Sequence, residues 1–242
     1  MIDFSLFKKL CWSFFLMLTF LFSARAQFVS GLNQNGELEK GYKQNNAKVA
    51  CWVYHSPQGK LMRIENYSPE GKKHGYWCSF NQNGSPEKES WYENDSLSGP
   101  QVDYFSGFKI REYHIHKNRR HGTYMTFHHN GNPDSAGVYE NGKTVGIWLQ
   151  YYENGKMKSS TSFSEKGEKS GPEKYFDMEG RIIAELNFAK GTLDGKYFQY
   201  HKNGGLELEG LYVNGLREGS WYEYDVSGRK IKTRVYKNDI EL

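Results

Sequence analysis

Gly-Ile-Trp-Leu-Gln-Tyr-Tyr-Glu-Asn-Gly, residues 146–155, is one copy of a pattern that recurs through most of the chain. It starts with an anchor glycine, has an aromatic residue five positions later and a second glycine nine positions later. The anchors return at spacings of 24, 23, 24, 25, 24 and 24 residues. They are Gly75, Gly99, Gly122, Gly146, Gly171, Gly195 and Gly219. Self-similarity at such a period is typical of repeat architectures, so the period predicts the fold before any local signal does.

Alignment on the anchors gives three further columns. The aromatics at position five are Phe80, Tyr104, Phe127, Tyr151, Phe176, Tyr200 and Tyr224. The second glycines are Gly84, Gly107, Gly131, Gly155, Gly180, Gly204 and Gly228. Position seventeen has Tyr92, Tyr139, Phe163, Phe188, Tyr212 and Tyr236. Ala50 begins one more copy, which lacks the anchor but keeps Trp52, Gly59 and Tyr67. Residues 50–242 are therefore predicted to form eight repeats of one hairpin each.

Each repeat has the chemistry of a strand, a turn and a return strand. Residues such as Ile147–Tyr152 suit a pleated surface. Asn-Gly follows, as in Asn154-Gly155, and predicts a two-residue turn in which both residues have positive φ. A second turn is expected at Asn141-Gly142 and its equivalents. The anchor glycine, at the start of the next strand, predicts a bulge or a close backbone approach.

The predicted fold class is all-β: an elongated, single-layer antiparallel meander of about eight hairpin repeats, preceded by a signal-peptide helix. Sixteen strands at ~4.8 Å each would extend roughly 75 Å. Trp148 and Tyr151 have opposite parity along one strand. Either both faces of the sheet carry aromatic rows, or a bulge near the glycine re-aims one of them.

Composition agrees with many short, half-exposed strands. Hydrophobic residues make up 37% of the chain and aromatics 16%, with 26 glycines. Disordered chains are poor in aromatics, so disorder is excluded. The net charge is +4, of which the first 26 residues carry +2. That balance predicts no nucleic-acid partner, because such partners require a strong basic excess on one face.

The N-terminal segment differs from everything after it. Lys8 and Lys9 precede an apolar run from Leu10 to Phe22, and Ala24-Arg25-Ala26 ends the segment. This layout predicts that residues 1–26 are a signal peptide cleaved near Ala26, which makes the mature protein secreted or periplasmic. An uncleaved anchor is the alternative, although the run is short for a membrane span. Residues 27–49 are expected to form a cap or a partial repeat.

Two segments carry a resemblance to a known family. Residues 74–84 read His-Gly-Tyr-Trp-Cys-Ser-Phe-Asn-Gln-Asn-Gly, and residues 218–224 read Glu-Gly-Ser-Trp-Tyr-Glu-Tyr. Both resemble the MORN repeat, in particular its bacterial variant, and the likeness covers roughly four-fifths of the chain. The resemblance implies a run of β-hairpins and, for bacterial members, a YwqK-type antitoxin label. The pattern departs at Gln101 and Glu173, where a Trp or Tyr is usual.

The densest polar cluster lies between residues 111 and 129. It contains the histidines His114, His116, His121, His128 and His129 and the basic residues Arg111, Lys117, Arg119 and Arg120. His114 and His116 would share one strand face, a spacing compatible with a metal. We instead expect a solvated basic patch, with His114, His116, Arg111, Arg119 and Arg120 as candidate binding residues for an anionic partner and no metal site.

Cys51 and Cys78 would remain after cleavage of the leader, and export permits a disulfide. A return strand is expected to lie between them, which places their backbones roughly 10 Å apart. Bridged Cα atoms rarely exceed about 7 Å, so free or intermolecularly oxidised thiols are favoured over an internal disulfide.

Catalytic motifs are absent from the sequence: it has no nucleophile elbow, no zinc-protease helix motif and no phosphate-binding glycine loop. The prediction is therefore a protein that is not an enzyme, with no catalytic residue and no cofactor. The aromatic columns could stabilise the sheet by cross-strand contacts or bind a partner, with Trp77, Trp148 and Trp221 as candidate binding residues.

The predicted function is an exported, non-catalytic interaction protein. It would bind a protein partner through an extended β surface, with an antitoxin or immunity-like role as the specific form that the resemblance implies. A glycan-binding or glycan-hydrolysing envelope protein is one alternative. A membrane-surface scaffold is another, which the modest net charge disfavours.

Overall fold

The computed structural model describes residues 26–242, which form 21 strands and no helix. The strands are β1 (Gln27–Leu32), β2 (Leu38–Gln44), β3 (Ala47–His55), β4 (Leu61–Tyr67), β5 (Gly75–Phe80), β6 (Pro86–Glu93), β7 (Ser96–Leu97), β8 (Gly99–Phe105), β9 (Phe108–His116), β10 (Arg119–Phe127), β11 (Pro133–Glu140), β12 (Lys143–Tyr151), β13 (Met157–Phe163), β14 (Lys169–Phe176), β15 (Ile182–Ala189), β16 (Thr192–Leu193), β17 (Gly195–Tyr200), β18 (Leu206–Val213), β19 (Leu216–Tyr224), β20 (Lys230–Lys237) and β21 (Ile240–Glu241). The predicted signal peptide, apart from Ala26, lies outside these residues.

The chain divides into two compact units. Compact unit 1 contains the described residues up to Ser85 together with Tyr92–Asp95, and compact unit 2 contains Pro86–Trp91 and Ser96–Leu242. Within each unit, every longer strand pairs antiparallel with the longer strand that follows it. The predicted all-β meander of hairpins, in one open antiparallel sheet, is confirmed. The division into leader, cap and eight repeats stays a prediction.

The anchor glycine lies at a bulge, as its position in the repeat predicts. In β11 and β12, Ala136 pairs with Leu149 but Val138 pairs with Val145, so β12 holds extra residues around Gly146. Gly146 has a φ of 68°, in the left-handed region that glycine adopts without strain.

The two turns of a repeat belong to different classes, and the prediction for the first turn is wrong. In that turn Gly155 has a φ of 81°, but Asn154 is not among the residues with positive φ. Tyr152 N–H donates to the Lys156 carbonyl at 2.8 Å and Gly155 N–H to the Tyr152 carbonyl at 2.9 Å, which leaves a three-residue loop. Such a loop is a type I turn followed by one left-handed glycine, so only the glycine needs positive φ.

The second turn is the two-residue type. Asn141 has a φ of 50° and Gly142 a φ of 88°, and Asn214-Gly215 has values of 49° and 86°. Positive φ at both central residues gives the twist that joins two adjacent antiparallel strands directly.

Both kinds of turn are hydrogen-bonded to a neighbouring copy, the first turn to the copy that follows and the second turn to the copy that precedes. In the first turn, the Asn154 side-chain Nδ2 donates to the Met178 carbonyl at 3.0 Å, and Asn203 donates likewise to Val226 at 2.9 Å. In the second turn, Gly142 N–H donates to the Arg120 carbonyl at 2.7 Å. The partners are 22 to 24 residues apart, so each repeat is bonded to its neighbour at both of its turns.

Aromatic residues occur on both faces of the sheet. From Gly146 to Gln150, β12 pairs regularly with β13, so strand alternation places Trp148 and Tyr151 on opposite faces. Two of the position-five tyrosines bond to glutamates of the preceding return strand: Tyr200 to Glu185 at 3.0 Å and Tyr224 to Glu209 at 2.6 Å. The Glu209 carboxylate raises the pKa of Tyr224 to about 12.

Compact unit 1 has its core around Trp52 and Tyr54, which are fully buried. The Tyr54 and Tyr67 hydroxyls both donate to the Glu65 carboxylate at 2.8 Å, and Arg63 Nε donates to it at 3.0 Å. Burial, together with the Glu65 carboxylate, raises the pKa of both tyrosines. A buried carboxylate is tolerated here because three donors satisfy it.

Candidate functional site

The candidate site is one face of compact unit 2, which we call the aromatic face. It is defined by Tyr124, Tyr139, Trp148, Phe163, Phe188, Tyr197, Tyr212, Trp221 and Tyr236. These are the residues two and seventeen positions after an anchor glycine. Strand pairing brings the two columns together. The residue at position two lies on a strand that pairs with a return strand, and that return strand carries the residue at position seventeen.

The rings of the aromatic face form two clusters. In the first, Tyr124, Tyr139 and Trp148 have centroid distances of 5.4 to 5.5 Å. In the second, Trp221 lies 5.6 Å from Tyr197 and 5.1 Å from Tyr212. These distances are typical of tilted and edge-to-face aromatic pairs. Rings packed in this way are rigid and present a fixed surface to a ligand.

Three cations stack on the aromatic face at one position of the repeat. Arg120, Lys169 and Arg217 each stand two residues before an anchor glycine. The Arg120 guanidinium lies 5.3 Å from the Tyr124 ring centroid and 5.2 Å from that of Tyr139. Arg217 lies 4.0 Å from the centroid of a position-seventeen ring. These are cation–π distances.

Sequence reasoning missed this cationic column. The signal was a Lys or Arg two residues before an anchor in alternate repeats, and it could have been found by aligning the residues that precede each glycine.

A cavity of about 360 Å³ opens between the two ring clusters. Trp148 and Gln150 of β12, Ser159 and Thr161 of β13, and Lys169 and Glu173 of β14 are among the residues that line it. A smaller cavity, of about 210 Å³, lies against Tyr197, Tyr212 and Trp221. Burial raises the pKa of Tyr197 and Tyr212, so their hydroxyls are protonated at neutral pH.

The predicted basic patch is divided between the two faces of the sheet. Arg111 donates to the Asp103 carboxylate at 2.8 Å, and Arg120 stacks on the aromatic face. Strand alternation puts His114 and His116 on the face opposite to Arg111. Arg119 is the exposed neighbour of Arg120 on β10 and points to the opposite side from it. The five residues therefore do not converge on one surface.

The histidines of that patch have different surroundings. His114 Nδ1 lies 3.0 Å from the Thr123 hydroxyl, and the His116 ring lies 6.0 Å from the His121 ring. His128 Nε2 lies 2.9 Å from the Tyr151 carbonyl, one repeat further on. Within the described part of the chain, no group of three or more His, Cys, Asp and Glu side chains is arranged to hold a metal ion.

The three candidate tryptophans are all packed against neighbours. Trp77, in compact unit 1, donates its indole N–H to the Asn66 carbonyl at 2.9 Å and lies 5.3 Å from the Tyr67 ring. Trp221 is only 5% exposed. Trp148 is half-buried and lines the larger cavity. Trp148 therefore borders the larger of the two cavities and Trp221 the smaller one.

The two cysteines lie on strands separated by a third. Cys51 of β3 pairs with Asn66 of β4, and Cys78 of β5 pairs with Ile64 of β4. The structure contains no disulfide between them. The expected return strand between the two cysteines is therefore confirmed.

Three segments of the chain match one family profile. They are residues 120–141, 144–165 and 193–214, and the profile is that of the MORN repeat variant. The chain contains MORN repeats. All three matches fall in compact unit 2, on the strands that build the aromatic face. MORN repeat proteins are generally non-catalytic repeat proteins. None of the curated proteins compared with the sequence matches it. Residues 26–242 include no helix that is long and apolar enough to cross a bilayer.

Proposed function

We propose that this MORN repeat protein is exported and binds a protein partner, without catalysis, through the aromatic face. The observation that carries the proposal is the concentration of Tyr, Trp and Arg side chains on that one face. These three residue types are enriched among the residues that dominate protein–protein binding energy. They are held rigid by ring contacts and cation–π stacking, so little side-chain entropy is lost when a partner binds.

Export is part of the proposal and rests on the leader-like residues 1–26. An immunity-like role, in which the partner is a toxin, is the specific form that the family resemblance suggests. If that form applies, co-expression of this chain with the captured partner should restore growth to cells that the partner inhibits.

Capture from the envelope of the native cell tests the proposal. Residues 27–242 would be immobilised, and bound proteins quantified by mass spectrometry. Arg120→Glu places a negative charge on the aromatic face, whereas Arg119→Glu makes the same change at the adjacent residue on the other face. We expect Arg120→Glu to lose most of the captured partner and Arg119→Glu to retain it. A partner that is retained by Arg120→Glu and lost by Arg119→Glu would show that the opposite face binds.

A further inference from the structure

The larger cavity lies where the repeat pattern breaks. Position two of a repeat is Trp148 before it and Tyr197 after it, but Glu173 stands there in the repeat that begins at Gly171. A glutamate side chain is much smaller than an indole or phenol ring. The missing ring leaves the space of about 360 Å³, which we call the Glu173 cavity.

The side-chain carboxylate of Glu173 is buried and is hydrogen-bonded by neighbouring side chains. Glu173 is 4% exposed. Its Oε1 accepts hydrogen bonds from the Thr161 hydroxyl at 2.7 Å and from Lys169 Nζ at 2.8 Å, and its Oε2 accepts from Lys169 Nζ at 3.0 Å. A buried carboxylate needs such partners to offset its lost hydration. The carboxylate also contributes, with burial, to raising the pKa of Tyr175, a neighbouring residue of the cavity wall.

The polar groups of the cavity retain capacity for a ligand. A carboxylate offers about four lone-pair sites and an ammonium three N–H donors. The two bonds from Lys169 to Glu173 leave one ammonium donor. On the neighbouring strands, the Ser159 hydroxyl donates to Gln150 Oε1 at 3.0 Å, which fixes the orientation of the Gln150 amide.

The charges select the class of ligand. An anionic ligand would be repelled by Glu173 and a cationic one by Lys169, because both charges line the same cavity. A neutral hydroxyl suits both groups, since it can donate to the carboxylate and accept from the ammonium. The Trp148 ring adds an apolar wall with a polarised face, and ring contacts hold it in place.

We propose that the Glu173 cavity binds one pyranose ring of a neutral saccharide. Its volume is within the lower part of the range of about 300–1,000 Å³ that is usual for small-molecule sites. Hydrolysis of the glycosidic bond generally requires a pair of carboxylates. Glu173 is the one carboxylate among the described residues that line the cavity. The site therefore binds the sugar and does not cleave it. It lies on the aromatic face, because Trp148 and Phe163 line the cavity, but the saccharide test uses the protein without any partner.

Titration calorimetry of residues 27–242 with maltotriose, cellotriose and chitotriose at millimolar concentration tests the proposal. We expect at least one of the three to bind with a saturable heat. Absence of binding by all three would overturn the proposal.

Two variants that fill the cavity locate the site. Glu173→Trp restores the usual residue of position two. Thr144→Arg brings into the cavity wall the cation that Arg120 and Arg217 supply at the same position of other repeats. Each should weaken saccharide binding at least about tenfold, a difference of about 1.4 kcal/mol. Persistence of full binding in a folded variant of either kind would place the sugar elsewhere and overturn the proposal.

Leu193→Arg is the matched control for Thr144→Arg. It introduces the same side chain two residues before Gly195, at a residue that does not line the cavity. Its saccharide affinity should equal that of the unmodified protein, and an equal loss in both variants would contradict the assignment. Circular dichroism melting of all three variants verifies that they fold. If Glu173→Trp does not fold, Thr144→Arg alone decides the outcome, because β10 and β19 already hold Arg at the position equivalent to Thr144 of β12.

Discussion

A glycine lies under the tryptophan ring in three hairpins, always eleven residues before it. A Cβ atom added at Gly137 would lie 2.0 Å from Trp148 Cε3, and one at Gly210 would lie 2.1 Å from Trp221 Cδ2. Gly41 and Trp52 repeat the arrangement in compact unit 1, at 2.3 Å. The tryptophan ring therefore rests directly on the backbone of the neighbouring strand, which only glycine permits.

Gly137→Ala should consequently destabilise the protein, because the ring of Trp148 or the backbone has to move. Overpacking of this kind costs about 1–3 kcal/mol, measurable by urea denaturation. Gly31→Ala is the control, since Gly31 has no atom within 4 Å of an added Cβ and no positive φ. It should change the unfolding free energy by less than about 0.5 kcal/mol. Equal costs for the two substitutions would refute the packing argument.

Asp225 provides a pH-dependent contribution at a turn. Its side chain accepts hydrogen bonds from the Ser227 hydroxyl and from the backbone N–H groups of Ser227 and Arg229, which lower its pKa from 3.8 to about 2. A depressed pKa in the folded state contributes stability above the unfolded pKa. That contribution is lost as the pH falls from 3.8 towards about 2.

NMR titration of the Asp225 side-chain carboxyl should show its midpoint near 2. In Asp225→Asn, stability should depend less on pH over the same interval. A midpoint at the ordinary aspartate value would mean that the turn bonds do not form in solution.

Residue-scale reasoning from the sequence recovered the columns but not their contacts. The tryptophans at position two were visible from the period. The glycines beneath them were not, because Gly137 and Gly210 belong to no column shared by every repeat. Only the pairing of strands shows that residues eleven apart lie face to face.

At the scale of the element, one dipeptide forms two different turns. Asn141-Gly142 has positive φ at both residues, whereas in Asn154-Gly155 only the glycine does. The deciding factor is the number of residues that the strand pairing leaves in the loop, which the dipeptide does not encode. The sequence therefore predicted where the chain reverses, but assigned the two-residue geometry to the first turn as well as to the second.

Asparagine also has a second role in the first turn. The Asn154 Oδ1 accepts from the Lys156 N–H at 3.0 Å within the turn, while Nδ2 bonds to Met178 of the next repeat. Asn154→Asp keeps the acceptor and removes the donor, so it should cost about 0.5–1 kcal/mol in unfolding free energy. Asn154→Ala removes both bonds and should cost more. If the aspartate variant is as stable as the original in a urea titration, the bond between turns contributes nothing.

At the scale of the whole molecule, the stability of a repeat array is the sum of contributions from neighbouring repeats. Trp221→Ala removes a buried ring, which costs about 3–5 kcal/mol in a core. Hydrogen exchange measured by mass spectrometry should show lost protection in β17 to β20, which surround that ring. Protection in β10 to β12 should be unchanged, and a uniform loss across compact unit 2 would show long-range cooperativity instead.

The site was harder to predict from the sequence than the fold. The period fixes which strands are neighbours, so the meander follows from it. A cavity depends on one departure from the period, and the sequence shows the departure at Glu173 without showing the space beside it. The spacing of Arg120, Lys169 and Arg217 is visible in the sequence, but only the structure shows these cations stacked on aromatic rings.

The bonds between turns join residues only 22 to 24 positions apart. Within compact unit 2, each strand therefore pairs with strands that are close to it in the sequence. Chains with such low contact order fold quickly. Each hairpin can add to the one before it as soon as it leaves the ribosome, so assembly can keep pace with synthesis of the chain.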